Sequence, residues 1–382
     1  MKSKARRTAD LVFCALFALL LLLPPLFINT VPGYRSEFDN RVYPDFPEGI
    51  GLKGFSAFEE YVNFRVGFRA QAVTAYQLLN SRLFSVFEYP RYMRGLDSHL
   101  FMDAPAYIRD YQRINVDTDY LDRLVRYLKA FDALCAEQGR KFYFFLVPDK
   151  QKIYPEYFPR GYNVADAPSR TEVFLQKLQD SGLSFLYPAD AFIARKPMQR
   201  LYNVEYDAVH WNNHGRFYGN QLLTEKMKAD FPGLRELKAA DYRITDTLKT
   251  SLRASYYPIH EFVPLYEIRQ TGALADETRF AGVKLLRDDL YHLHYRNETA
   301  ATPLKLLVFG DSFMDSAEMY YLDNFSEVTF LHAENLPLFS NLVTEFDPDI
   351  VVLESVIILM DVTGRYGNKT IDNLDALKDG GD

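Results

Sequence analysis

A serine closing an apolar run, Leu306-Leu307-Val308-Phe309-Gly310-Asp311-Ser312-Phe313, and an acid–imidazole pair, Asp207-Ala208-Val209-His210-Trp211-Asn212, carry the chemistry this chain offers. A serine hydroxyl is a poor nucleophile at neutral pH. It attacks an acyl group only when a histidine takes its proton and a carboxylate holds that histidine in the correct tautomer. Ser312, His210 and Asp207 are those three groups in two compact motifs, and they point to acyl transfer. Gly310 permits a tight turn at the strand end. The helix expected to follow would aim backbone N–H groups at the serine, with the Ser312 N–H the first oxyanion donor and Gly310, Asp311 and Asn212 close by.

Each motif has a plainer reading. Gly-Asp-Ser also describes a helix N-cap, and a lone histidine beside an aromatic residue is more often structural. His214 competes with His210 as base, and Gly215 after it reads as backbone punctuation. Glu205, Asp207, His210 and His214 lack the further His/Cys set a metal centre would need, so metal ranks below the triad. The reading calls for no cofactor. Lys150, in Val147-Pro148-Asp149-Lys150, and Glu354, in Leu353-Glu354-Ser355, end two other apolar runs and are candidates to line the same cleft, although a surface loop accounts for the first as well.

These groups converge only if strands deliver them to one rim. Lys141–Val147, Leu183–Tyr187, Leu304–Phe309 and Asp349–Leu353 are short apolar runs of the kind a parallel sheet buries on both faces. Helical spacing covers Phe55–Phe87 with a break near Gly67, then Thr118–Gln138, Ser169–Ser181 and Arg216–Ala229. Alternating strands and helices over 140–360 predict an α/β fold with helices on both faces of the sheet and ligands at the strands' carboxyl ends. Residues 235–300 are charged and without clear period, and read as an insertion beside the site.

Among 382 residues, hydrophobic ones make up 48% and charged ones 25%, which suits a globular protein with ample core. The net charge of −7 and the lack of a basic stripe argue against nucleic-acid binding. Excess tyrosine suits stacking on sugars, and aromatic core packing explains it equally well. Lys2, Lys4, Arg6 and Arg7 precede an apolar run from Leu11 to Ile28, long enough to span a bilayer with the basic end in the cytoplasm. No small-residue cleavage site follows, which favours an uncleaved anchor over 1–30. Residues 31–54 then read as a stalk, 55–365 as the catalytic domain and 366–382 as a polar tail. Cys14 and Cys135 lie apart and read as small hydrophobes.

The motifs together resemble the SGNH-hydrolase-like O-acetyltransferases of bacterial exopolysaccharide synthesis, the alginate acetylation proteins AlgJ and AlgX. Asn40-Arg41 with Pro44 is similar to that family's entry motif. Phe58–Arg69 resembles its E-x-Y-x-x-D-x-F-x-x-R helix, with Asn63 in place of Asp. Arg94-Gly95-Leu96-Asp97-Ser98-His99-Leu100-Phe101 resembles its G-x-D-G-W-L-F turn. Val147-Pro148-Asp149-Lys150 with Ile153-Tyr154-Pro155-Glu156 resembles its V-P-x-K…Y-P-E segment. The likeness runs from about 40 to 360 in the family's order. It implies an SGNH-like (flavodoxin-like) domain in which the Asp–His motif precedes the serine, a circular permutation of ordinary SGNH esterases. Ser312 would be the nucleophile, His210 the base and Asp207 the orienting acid. The family usually shows Asp-x-His-Trp, whereas this chain has Asp-x-x-His-Trp, the spacing of ordinary SGNH esterases.

The resemblance further implies transfer of acetyl groups to hydroxyls of a cell-surface or secreted polysaccharide, in the cell envelope. The donor would be passed outward by a membrane-bound O-acyltransferase. An acetylesterase with the same triad is the nearest rival. A non-catalytic glycan-binding or scaffold subunit is the rival of a different class.

Overall fold

The computed structural model describes residues 4–36, 41–47, 49, 52–84, 87, 91–253, 255, 257–276, 283–287, 292–357 and 368–372. Asn40 and most of the expected polar tail lie outside them. The chain divides into two compact units, one of residues 1–89 with 249–261 and one of 90–248 with 262–382.

In the first unit the apolar run forms α1 (Lys4–Leu26), long and apolar enough from Arg6 to Leu26 to cross a membrane. β1 (Arg35–Ser36) pairs antiparallel with β2 (Arg41–Val42), so the stalk is partly ordered. The helical pattern from Phe55 onward becomes α2 (Leu52–Arg65) and α3 (Arg69–Phe84). The break comes where expected, and Phe68 there takes the left-handed conformation, φ +61°.

The second unit opens with an antiparallel pair, β3 (Tyr92–Arg94) and β4 (Leu100–Met102), then α4 (Pro105–Gln112) and α5 (Thr118–Glu137). Asp117 caps α5 by accepting the Tyr120 N–H at 3.0 Å, and Tyr120, Leu121, Leu124, Leu128, Phe131 and Cys135 form its buried stripe. There follow β5 (Lys141–Val147), α6 (Lys150–Ile153), α7 (Arg170–Ser181), β6 (Phe185–Leu186), α8 (Ala189–Arg195) and α9 (Asn213–Lys228). Next come β7 (Tyr242–Ser251) and β8 (Pro258–Ile268), of which 249–251 and 258–261 are assigned to the first unit, then β9 (Leu274–Ala275) and β10 (Leu293–Arg296). β11 (Lys305–Gly310), β12 (Glu327–His332), α10 (Phe339–Phe346), β13 (Ile350–Val356) and α11 (Asn368–Ile371) complete it.

One sheet runs β6-β5-β13-β11-β12-β10-β9, parallel from β6 to β12 and antiparallel at β10 and β9. β11 lies inside it, with Leu306 opposite both Ile350 and Val328. Alternate residues serve opposite faces. Phe142, Phe144 and Leu146 pack with α5, α7 and α10, while Tyr143, Phe145 and Val147 pack with α9 and Trp211. In β11, Leu307 and Phe309 face the first of these cores and Leu306 and Val308 the second; each such side chain contributes about 1.5–3 kcal/mol by leaving water, so the strand that leads to Ser312 is firmly held. The fold is the expected α/β one.

Two local expectations need correcting. Among the described residues of 235–300, regular strands replace the expected irregular chain: β7 and β8 form a two-stranded sheet and β10 joins the main sheet. In β7 only Tyr242 is buried, so charge and threonine fill both faces and hide the strand's period. The helix expected after Ser312 is a single 3₁₀ turn, Ser312–Met314, ended by Asp315 in an extended conformation and Ser316 at φ +58°. It has no length to develop a helix dipole.

Candidate active site

β11 ends at Gly310, in register with His332 of β12 and buried. A Cβ at Gly310 would lie 3.0 Å from the Met314 side chain and 3.1 Å from Glu354 Oε2, which is why this turn takes glycine. The next residue fastens the turn to β13. The Asp311 N–H donates to Glu354 Oε2 at 2.9 Å, while Asp311 accepts the Phe313 N–H at 2.9 Å and the Val356 N–H at 3.0 Å. Of three successive N–H groups, the outer two are committed to these carboxylates; the Ser312 N–H takes part in neither set.

The partner motif lies between α8 and α9. Asp207 accepts the N–H groups of Val209 and His210 at 2.8 and 3.0 Å, a side-chain-capped turn that also presents its other oxygen to the His210 ring. That oxygen is 2.8 Å from His210 Nδ1, and His210 Nε2 is 2.7 Å from Ser312 Oγ. Asp207 is buried and the imidazole is 16% exposed, so the acid is shielded from water while the ring faces the opening. With Nδ1 protonated and donating to Asp207, Nε2 is left as the acceptor of the serine hydroxyl.

Trp211 locks the two motifs together. Its Nε1–H donates to the Phe313 carbonyl at 2.9 Å, and Phe313 packs against both the His210 and Trp211 rings. The following helix makes room for it. Gly215 lies within α9, where a Cβ would sit 2.2 Å from the Leu201 carbonyl oxygen and 2.9 Å from the Trp211 side chain. It is a close-approach residue within the helix, where the sequence suggested backbone punctuation.

The other sequence candidates sit around this centre in structural roles. Asn212 caps α9, accepting the Gly215 N–H at 3.0 Å and donating to the Arg200 carbonyl at 2.9 Å, so both ends of its amide are engaged. Glu354 is fully buried and supports the Asp311 backbone. Lys150 is buried too: its ammonium donates to the carbonyls of Leu100 at 2.6 Å, Val204 at 3.1 Å and, more weakly, Asp207 at 3.4 Å. It props the acid motif from behind. His214 meets the Tyr266 hydroxyl at 2.9 Å, and burial lowers its pKa.

The sequence did not single out Asp149 or Gln151, although Asp149 lies in the Val147–Lys150 motif and Gln151 directly follows it. Asp149 is buried, and burial, with Asp110 and then Asp311 adding to it against Arg170, pushes its carboxyl well above the usual range. Gln151 lines a cavity of about 360 Å³ at the carboxyl ends of β5 and β6, together with Asp110, Tyr111, Arg113, Lys152 and Glu172. Its Nε2 is buried and finds no acceptor among the described residues. Only the position of these residues after a buried strand could have signalled them.

A buried parallel sheet that presents Ser, His and Asp in hydrogen-bond contact at its carboxyl rim defines an SGNH-type α/β domain. Comparison with known families places it further: residues 94–284, half of the chain, match the family described as SGNH hydrolase-like domain, acetyltransferase AlgX, and the chain belongs to that family. A search of curated protein sequences finds no match. Among solved structures, Bacillus cereus PatB1 superposes with a TM-score of 0.55 at 16% identity, over 69% of this chain and 95% of PatB1. The same protein with a sulfonyl adduct gives 0.54 at 17% identity over the same shares, 69% and 95%. A DHHW family protein from Eubacterium siraeum gives 0.50 at 13% identity, over 77% of this chain and 97% of that one. At these identities the likeness establishes the fold.

Proposed function

We propose that this chain is an exported O-acetyltransferase that moves acetyl groups onto hydroxyls of a cell-surface or secreted polysaccharide through an acyl-enzyme on Ser312. The observation that carries the reading is the unbroken relay of Ser312 Oγ, His210 and Asp207 at 2.7 and 2.8 Å. Membership of an acetyltransferase family supports the reaction class.

In the proposed cycle His210 Nε2 accepts the Ser312 proton as Oγ attacks the donor's acetyl carbonyl. The oxyanion forms beside the Ser312 N–H, the donor group leaves with the proton from His210, and the acetyl ester remains on Ser312. A sugar hydroxyl then gives its proton to His210 and attacks that ester, which restores Ser312. General-base action contributes about 10²–10⁴-fold and an oxyanion donor about 10²–10³-fold. Asp207 stays ionised and orients the ring throughout.

The acceptor would extend from Ser312 along the sheet's rim toward the Gln151 cavity. β5 lies two strands from β11, about 10 Å at the usual strand spacing, which is a separation of sugar-residue scale. Arg113 and Lys152 there are balanced by Asp110 and Glu172, so the cavity suits hydroxyls better than a charged group. The α1 helix and its basic flank support anchorage with the catalytic unit facing outward. Acetyl would then reach Ser312 from a membrane-bound O-acyltransferase.

The test is acetyl transfer from an activated ester by the full chain in detergent, with and without oligosaccharide acceptors. Acetylated sugar that requires Ser312 supports the proposal. Release of acetate at a rate indifferent to every sugar favours the esterase, for which the Asp-x-x-His spacing speaks. Polymer acetylation in cells that survives Ser312→Ala overturns any catalytic reading.

A further inference from the structure

The solvent-facing side of α3 carries a row of apolar residues. Phe68 and, within the helix, Ala72, Ala75, Tyr76, Leu79 and Leu83 recur at offsets of 4, 7, 8, 11 and 15, which is one helical face, and all are exposed. Tyr76, Leu79 and Leu83 are 57%, 58% and 68% exposed, and no residue of α3 is buried. The opposite face, a mixed one of Ala70, Val73, Thr74, Gln77, Leu78 and Ser81, is the half-buried one. Arg69 and Asn80 flank the stripe on one side and Gln71 and Arg82 on the other. From Tyr61 to Phe84 the chain carries three arginines and no acidic residue. A helix in water has the reverse pattern; an apolar stripe edged by arginine is that of a helix lying in a lipid headgroup region, where the guanidinium stems cover the stripe's margins.

The start of α3 is fixed to the end of α1. The Gly67 N–H donates to the Pro24 carbonyl at 3.1 Å, and the Asn29 N–H to the Arg65 carbonyl at 2.8 Å. The buried Arg65 guanidinium donates to the carbonyls of Asn29 at 3.0 Å, Val31 at 2.6 Å and Pro44 at 2.6 Å, and to Asp45 at 2.7 Å. Phe27 and Phe68 meet edge to face at 5.1 Å, and a Cβ at Gly67 would lie 2.5 Å from that of Phe27. Pro24 belongs to the apolar span itself, so α3 begins at the depth where that span ends.

We propose that α3 is a membrane-surface helix: its stripe of Phe68, Ala72, Ala75, Tyr76, Leu79 and Leu83 seats in the headgroup–acyl boundary of the bilayer that α1 crosses. The inference rests on α1 spanning that bilayer. Sixteen residues give about 24 Å of contact, enough to hold the corner formed by α1, α2 and α3 at a set height above the lipid.

The test uses the full chain with Cys14→Ala, leaving Cys135 buried, reconstituted in vesicles of phosphatidylethanolamine and phosphatidylglycerol. Leu79→Cys and Leu83→Cys are compared with Asp119→Cys, an exposed position on α5. The expected result is several-fold slower reaction of the two stripe thiols with a membrane-impermeant maleimide, and quenching of bimane at those sites by acyl-brominated lipid, with neither effect at position 119. Stripe thiols that react as fast as position 119 in these vesicles overturn the proposal. Protection seen only in native membranes overturns it in favour of a protein partner. Extraction of the chain by alkaline carbonate overturns the anchor on which it rests, and is read separately from any acetyl-transfer assay.

Discussion

Asp207 divides its carboxylate between the backbone and the ring of His210: one oxygen receives the N–H groups of Val209 and His210, the other lies 2.8 Å from His210 Nδ1. The Asp-x-x-His spacing is therefore a geometric device, because the residue that shapes the turn also orients the imidazole at its end.

Asp207→Asn separates those two duties. An asparagine oxygen can still cap the turn, while its NH₂ would face Nδ1 and force the ring into the tautomer with hydrogen on Nε2, pointing at Ser312. Folding should survive, with a melting temperature close to that of the parent, while acyl transfer falls by about 10⁴-fold. Asp207→Ala loses both duties and should lower stability by about 1–2 kcal/mol as well. Equal melting temperatures for the two variants would contradict the capping role.

Lys150 is predicted to act through Asp207's backbone rather than on substrate. Lys150→Met keeps the stem's volume but removes the buried donor to the Leu100 carbonyl and the weaker bonds to the carbonyls of Val204, which keeps the Leu100 N–H, and Asp207. Denaturant unfolding should show a loss of about 1–3 kcal/mol. The remaining folded enzyme should keep its KM for a small acetyl ester and lose kcat. A rise in KM alone would mean that the amine meets substrate.

The strands and the site were legible to different degrees. β5, β11 and β13 stood out because burial on both faces makes an uninterrupted apolar run such as Lys141–Val147, and the motifs at their ends were found by position. β12 (Glu-Val-Thr-Phe-Leu-His) escaped because Glu327, Thr329 and His332 interrupt a short run, even though Thr329 is fully buried. The β7–β8 pair escaped for other reasons: β7 is almost wholly exposed and carries no hydrophobic period, while β8 buries Glu261 and exposes Phe262 and Leu265, so its polarity does not follow its burial. The sequence brought Asp207, His210 and Ser312 into one hypothesis. It gave no sign that Trp211 bonds to the Phe313 carbonyl, because that role is set by a contact a hundred residues away, whereas the Asn212 cap is made locally, to Gly215 three residues on.

Asp149 should make stability fall with rising pH. Burial raises its folded pKa, so below the ordinary carboxylate value, about 3.9, folded and unfolded chains are both protonated and the group is silent. Above that value the unfolded chain ionises while the folded one resists, and stability is lost as pH climbs toward the folded pKa. Asp149→Asn removes the ionisation at nearly constant shape. Its melting temperature should exceed the parent's at pH 7, with the gap closing near pH 3. An offset that is the same at every pH would sink the assignment.

His99 should act in the other direction, on the acid side. Burial and then the nearby Lys150 ammonium lower its pKa to about 4, while Arg200 adds to the effect and the bond to the Asp97 carbonyl opposes it. The ring also stacks on Tyr157 at 3.9 Å and 3°. Because the folded value lies below the unfolded one, the neutral ring's contribution is complete above about pH 6.5 and is lost as pH falls toward 4, where the unfolded chain takes up a proton the folded one refuses. His99→Gln cannot take up that proton, so it should be less stable than the parent at pH 7 through lost stacking, yet lose less on acidification from pH 7 to 5. Melting curves at half-unit pH steps measure both slopes. Parallel curves for parent and variant would show that His99 does not carry this part of the acid sensitivity.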